Sequence, residues 1–206
     1  MMLNLAQLIK QFDMHITGIV HAGAHYGEEF TDYCANGVEH VVFIEPHDAT
    51  FRILQQQVGQ NENVLLFHCA VGAEDAWLPM WEETVNTGQS NSFLKPKLHL
   101  EQHPSITFRK SGWLRKVRKL DYLDFDRARY NMLCMDIQGY ELEALKGAVD
   151  TLEHINYVYL EVNRAEVYEG NALVEQIDAF LHDFQRVAEN WGGGTWGDAL
   201  WIRKGK

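Results

Sequence analysis

Three acidic residues that close apolar runs are the first candidates for chemistry. Asp136 follows MLCM, Glu161 follows VYL with Asn163 two residues beyond it, and Glu45 follows VVFI. If each run is a buried strand, each acid emerges at a strand end, where open α/β sheets bind their ligands. Asp136, Glu161 and Asn163 together offer two carboxylates and an amide oxygen. That is a hard-oxygen set suited to Mg²⁺ or Mn²⁺, with water and a substrate oxygen completing an octahedron. Asp136 can instead act as a general base without metal. The structural alternative has Asp136 capping the helix after Gly139 and Glu161 pairing with a basic side chain.

Glu45 lies 22 residues after Gly23, in the turn His21-Ala22-Gly23-Ala24-His25-Tyr26-Gly27. Glycines there let a backbone turn tightly and approach a ligand. An acid at that distance can accept hydrogen bonds from both ribose hydroxyls of a nucleoside. Glu45-Pro46 equally suits the entry to a helix. His25 is a candidate base or cofactor contact, or a hydrogen-bonded turn residue. The pairs His21/His25 and His99/His103 have the four-residue spacing of helical zinc sites, but one straddles a glycine turn and the other abuts Pro104, which argues against zinc. Ser90-Asn91-Ser92 are candidate polar contacts to substrate, or a plain loop. Tyr157 and Tyr159 read as core strand packing. Trp191 and Trp196 flank a glycine turn and either cover a sheet end or wall an acceptor site.

These residues need a scaffold, and the pattern supplies one. Apolar runs at 16–21, 41–44, 64–67, 132–135 and 158–160 predict buried strands, with a short further strand at 77–81. Helical spacing covers an N-terminal helix within 1–14, then 28–35, 49–58, 140–146 and 173–181. Strands at 185–188 and 200–202 around the turn 192–194 predict a closing antiparallel hairpin. Strands alternating with helices imply a mostly parallel sheet covered on both faces, an α/β architecture of Rossmann-like type. Residues 82–112 are poorly periodic and read as a loop or lid on the acceptor side.

The 206 residues suit one domain spanning 1–206, and 46% hydrophobic with 23% charged residues marks a globular chain. A net charge of −11 works against a long nucleic-acid partner. One basic cluster, Arg109, Lys110, Arg115, Lys116, Arg118 and Lys119, holds six of the 18 Lys and Arg residues. It reads either as a charged β-ribbon or edge strand, or as a contact for an acidic acceptor. Cys34, Cys69 and Cys134 are widely spaced, which favours reduced thiols over a disulfide framework. No apolar run is long enough to span a bilayer, and residues 1–10 lack the pattern of a signal peptide, so a cytoplasmic enzyme is expected.

The runs VHAGAHYGEEF, VVFIEPHDATFRIL, FHCAVGAEDA, VRKLDYL, MDIQGYELEALKGA and YVYLEVN occur in an order that resembles the FkbM family of S-adenosylmethionine-dependent methyltransferases. MDIQGYELEALKGA is the most specific, since the family usually shows an Asp-x-Glu-Gly-x-Glu run before a similar helix. His21 stands where the family usually has Asp, and Gln138 where Glu is common. The resemblance implies a class I methyltransferase fold with a seven-stranded, mostly parallel sheet and a C-terminal antiparallel hairpin. It implies S-adenosylmethionine as cofactor, with His21 and the turn Gly23 to Gly27 (Ala24, His25 and Tyr26 included) on its methionine part. Glu45 and Pro46 would meet the ribose, Ala70 and Val71 the adenine, and Asp136 the sulfonium. The acceptor is then a hydroxyl of a small molecule or glycan, most naturally a sugar such as the deoxyhexose rhamnose, near Ser90, Asn91, Ser92, Tyr140 and Asn163. Sugar hydroxyls are poor nucleophiles, so Asp136, Glu161, His25 or a bound Mg²⁺ or Mn²⁺ must assist. A nucleotide-binding Rossmann oxidoreductase and an inactive cofactor-binding module remain as alternatives, the first weakened by the missing Gly-x-Gly-x-x-Gly.

Overall fold

The structure, a computed structural model, describes residues 3–192 and 194–205. The first two residues of the expected N-terminal helix and Gly193 of the expected glycine turn lie outside the described residues. In chain order the elements are α1 (Leu5–Phe12), β1 (Gly18–Ala22), α2 (Phe30–Ala35), β2 (His40–Ile44), α3 (Asp48–Val58), β3 (Val64–Phe67), β4 (Ala70–Val71), β5 (Ala76–Glu83), α4 (Leu98–Gln102), β6 (Phe108–Arg118), β7 (Met132–Met135), α5 (Glu141–Lys146), α6 (Val149–Leu152), β8 (Tyr157–Asn163), α7 (Val174–Phe180), β9 (Phe184–Asn190) and β10 (Trp196–Arg203).

Seven strands form the main sheet in the order β3-β2-β1-β7-β8-β10-β9. The first five are parallel, and β10 runs antiparallel to both β8 and β9. This is the expected sheet with its closing hairpin. Successive side chains of a strand point to opposite faces, and the core divides accordingly. Val20, Ala22, Val42, Ile44, Leu133 and Met135 pack on one face with Ala144 and Leu145 of α5 and Ile177 of α7. Ile19, Val41, Phe43, Met132 and Cys134 pack on the other with Leu8 of α1, Tyr33 of α2 and Leu54 of α3. Strands β1, β7 and β8 are buried along their whole length, which is why they read as continuous apolar runs.

A second sheet of three strands, in the order β4-β6-β5, was not expected from the pattern. It absorbs the strand foreseen at 77–81, and its long strand β6 begins at Phe108, inside the segment read as loop. The basic cluster therefore lies on a β-ribbon with β5, as one of its readings had it, and β6 is the central strand of its sheet rather than an edge. Within it, Arg115 is buried and pairs with Asp48 and with Glu82 at 2.9 Å, and Arg118 pairs with Asp75 at 2.8 Å. Among the described residues no helix is long and apolar enough to cross a membrane. Cys34, Cys69 and Cys134 are free thiols.

The order of the main sheet reverses between β1 and β7, and that switch point is where such sheets bind ligands. Here the turn after β1 touches the turn after β7. A Cβ on Gly23, whose φ is +80°, would sit 1.9 Å from the carbonyl oxygen of Asp136. Gly37 has a similar φ of +78° but opens onto empty space. The comparison separates backbone strain from contact. Gly37→Ala should cost about 1 kcal/mol, the penalty of a left-handed residue with a side chain. Gly23→Ala should cost several times more, because a core backbone group must move. Urea denaturation of both variants checks this; equal losses would mean that the close approach carries no constraint.

Candidate active site

A cavity of about 430 Å³ opens at the carboxyl ends of β1, β2, β7 and β8. Its lining includes His21, Gly23, His25, Glu45, Pro46, Ala70, Val71, Ser90, Asn91, Asp136, Tyr140, Glu161 and Asn163, so the structure brings most of the expected residues together. Four others do not reach it. Ala24 is fully buried in the core, Tyr26 leans on the His25 ring at 3.8 Å between centroids, and Gly27 serves the turn. Ser92 acts from behind, its hydroxyl donating to the Gln138 carbonyl at 2.7 Å.

The centre of the cavity is a carboxylate pair joined by an amide. The Gln138 side-chain nitrogen donates to Asp136 Oδ1 at 2.7 Å and to Glu161 Oε2 at 2.9 Å. Its oxygen accepts from the Tyr168 hydroxyl at 2.6 Å, which fixes the amide's orientation. Left-handed backbone at Gln138 (φ 56°) and Gly139 (φ +93°) folds the chain sharply after β7. The Glu141 carboxylate holds that turn by accepting from the backbone N–H groups of Ile137 at 3.0 Å and Gly139 at 3.3 Å. Glu141, not Asp136, thus organises the start of α5, and Glu161 bonds to the amide rather than to a basic side chain. Asp198 on β10 stands in register opposite Glu161 and receives the Tyr159 hydroxyl.

Six carboxylates, those of Glu28, Glu29, Glu45, Asp136, Glu161 and Asp198, line the cavity, and no Lys or Arg does among the described residues. Burial without a cation disfavours the charged form. Burial first, with Asp198 adding to it, pushes Asp136 up to about 6. Glu161 is raised well above the usual carboxylate range by burial and then by Asp136, Glu141 and Asp198. Burial also raises Glu45 and Glu141 to about 7.

This arrangement does not fit the expected metal set of Asp136, Glu161 and Asn163. The two N–H bonds of Gln138 occupy the face that both carboxylates share, so a cation would meet a donor where it needs acceptors. Among the described residues, no three His, Cys, Asp or Glu side chains are grouped as metal ligands. His25 is likewise poorly placed as a base. Its Nδ1 lies 2.7 Å from Glu28 and its Nε2 3.0 Å from the Thr87 carbonyl, so both nitrogens are engaged. His21 is buried, its Nδ1 bonded to the Tyr33 hydroxyl at 3.0 Å, and desolvation lowers its pKa so that it stays neutral.

The Gly23–Gly27 turn spends its own donors. Gly23 and Ala24 N–H groups bond the Ile44 carbonyl at 3.0 and 3.2 Å, and Gly27 N–H bonds that of Ala24 at 2.7 Å. The Glu45 carboxylate accepts from His25 N–H at 3.1 Å and from His47 N–H at 2.8 Å. Glu45 thus ties the turn to the entry of α3, as its place before a helix suggested, and also lines the cavity.

The segment 82–112 proves well anchored. Glu83 accepts from the N–H groups of Val85, Asn86 and Gly88, and the Thr87 carbonyl receives His25. Residues 95–99 are fastened to 166–169 by bonds from Lys97 N–H and His99 N–H to Val167 (2.9 and 3.1 Å) and by ion pairs Lys95–Glu169 and Lys97–Glu166. Sequence reasoning missed Gln138 as a hub, Asp198, and the group His99, His103 and Tyr168. Asp198 and Tyr168 reach the cavity only through strand register and loop docking, for which the sequence carries no periodic signal.

The sequence also matches a family profile, that of the methyltransferase FkbM domain, over residues 21–188. The chain belongs to the FkbM methyltransferase family. It is 27% identical over 152 residues to the 2-O-methyltransferase NoeI of Sinorhizobium fredii (strain NBRC 101917 / NGR234). That stretch covers 72% of this chain and 58% of the relative, so the chain spans little more than half of the curated protein it matches. Among solved structures, magnesium protoporphyrin IX methyltransferase from Synechocystis PCC 6803 with bound S-adenosylmethionine aligns at TM-score 0.56 and 10% identity, over 97% of this chain and 76% of that one. The ribosomal protein L11 methylase of Lactobacillus delbrueckii subsp. bulgaricus aligns at 0.54 and 11%, over 98% and 76%. These likenesses show the fold, a Rossmann-like class I methyltransferase fold.

The raised carboxylates make a stability prediction for the FkbM domain. Glu45 has a folded pKa above its unfolded value, so its protonation favours folding. That contribution is complete below about 4.5 and is lost as pH rises through about 7. The stability of wild type relative to Glu45→Gln should therefore shift toward wild type by on the order of 3 kcal/mol as pH falls from 8 to 4.5. Paired urea titrations across that range check it, since other titrating groups cancel in the difference. A difference that is flat with pH would mean that Glu45 is not desolvated.

Proposed function

We propose that the chain transfers the methyl group of S-adenosylmethionine to a hydroxyl of a neutral small acceptor, a sugar such as a deoxyhexose in a glycan or glycosylated metabolite. The observation that carries this reading is the cavity lined by six carboxylates and, among the described residues, by no Lys or Arg. Such a cavity suits a donor of net positive charge and disfavours an acceptor of net negative charge. It also argues against a nicotinamide dinucleotide, whose pyrophosphate needs free backbone N–H groups or cations, because the glycine turn has already used its donors.

Within this reading Glu45 meets the ribose hydroxyls with the lone pairs left after His25 and His47. Ala70, Val71, Met80, Phe93 and Tyr140 form the apolar seat for the adenine. The methionine end lies beside Gly23 and His25, with its sulfonium toward Asp136. Glu29, which lines the cavity at the start of α2, supplies the negative charge that neutral His21 lacks.

When bound, S-adenosylmethionine supplies a methyl carbon on a cationic sulfur. Asp136, near 6, is largely ionised at neutral pH and accepts the proton that the acceptor hydroxyl loses. Glu161 stays protonated, so one negative charge rather than two sits at the centre. Gln138 orients both groups through its two N–H bonds, and positioning of this kind supplies much of a transfer rate. No step passes through a metal.

Three results are expected. Asp136→Asn lowers kcat by about 10² to 10⁴ while leaving the affinity for S-adenosylhomocysteine near that of wild type. In wild type, kcat rises with pH through about 6 and then levels off. EDTA leaves turnover unchanged. These are read by a coupled assay of S-adenosylhomocysteine release with a glycan acceptor, and activity lost in EDTA and restored by Mn²⁺ would overturn the metal-free base.

A further inference from the structure

One end of the cavity is used by none of the groups assigned so far. It is formed by His99 of α4, His103, Ile106, Val167 and Trp196, with Tyr168 between it and the carboxylates. His99 is buried, with 6% of its surface exposed, yet its Nδ1 has no hydrogen-bond partner. Its Nε2 makes a long contact of 3.3 Å with the Ser90 hydroxyl. A buried polar atom left unpaired costs free energy, and in a ligand site the ligand is the natural partner.

The surroundings say what that partner is. The His103 ring lies 4.9 Å from that of His99, and Trp196 lies 6.4 Å from His103, so the floor is aromatic. Burial, with His103 next, brings His99 down to about 4, so the ring is neutral at physiological pH. A hydroxyl serves either tautomer of a neutral imidazole, because it both donates and accepts. An anion would find no cation here, and a purely apolar ligand would leave Nδ1 unpaired.

The subsite is joined to the transfer centre by one residue. The Tyr168 ring is 5.6 Å from His99, and its hydroxyl bonds Gln138 at 2.6 Å, which in turn holds Asp136 and Glu161. The ion pairs and backbone bonds between 95–99 and 166–169 hold the wall in place without a ligand.

Resting on the methyltransferase reading, we propose that His99, His103 and Trp196 form the acceptor subsite, and that it receives an uncharged sugar ring with a hydroxyl bonded to His99 Nδ1. The test uses the wild-type chain labelled with ¹⁵N-histidine and saturated with S-adenosylhomocysteine. Neutral methyl hexosides and 6-deoxyhexosides are titrated in, beside the matching uronates and sugar phosphates. The proposal expects neutral glycosides to shift the His99 Nδ1 resonance saturably, and the anionic counterparts to bind at least tenfold more weakly. His99→Phe should lose glycoside binding by a similar factor and keep its affinity for S-adenosylhomocysteine. If no neutral glycoside in the panel shifts His99, or if the anionic sugars bind as well, the subsite is overturned while the methyltransferase reading stands. If S-adenosylhomocysteine itself fails to bind wild type, the underlying reading falls and the subsite with it.

Discussion

Carboxylates buried together without a cation set the terms for everything around them. Two unit charges 4 Å apart repel by roughly 4 kcal/mol at an effective dielectric constant of 20, before any loss of hydration is counted. The cavity holds Asp136 and Glu161 side by side with Asp198 opposite, and relieves them with an amide rather than a basic side chain. Gln138 donates both of its N–H bonds to the pair, and the Tyr168 hydroxyl holds the amide from its other side. Burial first, and the remaining repulsion after it, raise the pKa values of Asp136 and Glu161. The cavity is thus left short of positive charge, and a cationic donor relieves that shortage on binding.

The fold delivers this arrangement through contacts of backbone with backbone. The switch point between β1 and β7 puts the glycine turn against the Asp136 carbonyl, at a distance only glycine tolerates. Glu45 then ties the same turn to the start of α3, and Glu141 ties the turn after β7 to the start of α5. Glu45 serves a loop as well as the cavity, and Glu141 holds the turn that carries Gln138 to the carboxylate pair. The small second sheet lines one side of the cavity through Ala70, Val71 and Met80, and its buried Arg115 is paired with Asp48 and Glu82.

Much of this was legible in the sequence because it rests on local pattern. The five parallel strands are continuous apolar runs, and the residues that follow them, Gly23, Glu45 and Asp136, line the cavity as their positions implied. What was not legible depends on partners distant in sequence. The second sheet needs β6 to pair with β4 and β5 across long loops, and alternation in β6 is masked by Arg and Lys on both faces. The metal set failed for a related reason. Asp136, Glu161 and Asn163 converge as expected, but Gln138 returns over them through a left-handed turn that strand periodicity cannot report. Segment 82–112 read as a loop or lid because it is long and poorly periodic, while the fastening of its residues 95–99 to 166–169 carries no local signal.

The central claim is that the desolvated carboxylates lining the cavity recognise the positive charge of the methyl donor. S-adenosylmethionine and S-adenosylhomocysteine differ in that charge and in one methyl group, so their relative affinity isolates it. Calorimetric Kd values for both ligands at pH 5.5 and pH 8 span the titration of Asp136, near 6, and Glu45, near 7. The account predicts that the ratio of the S-adenosylhomocysteine Kd to the S-adenosylmethionine Kd rises by roughly tenfold or more from the lower pH to the higher, about 1.4 kcal/mol of added attraction. A ratio that does not change with pH would contradict it.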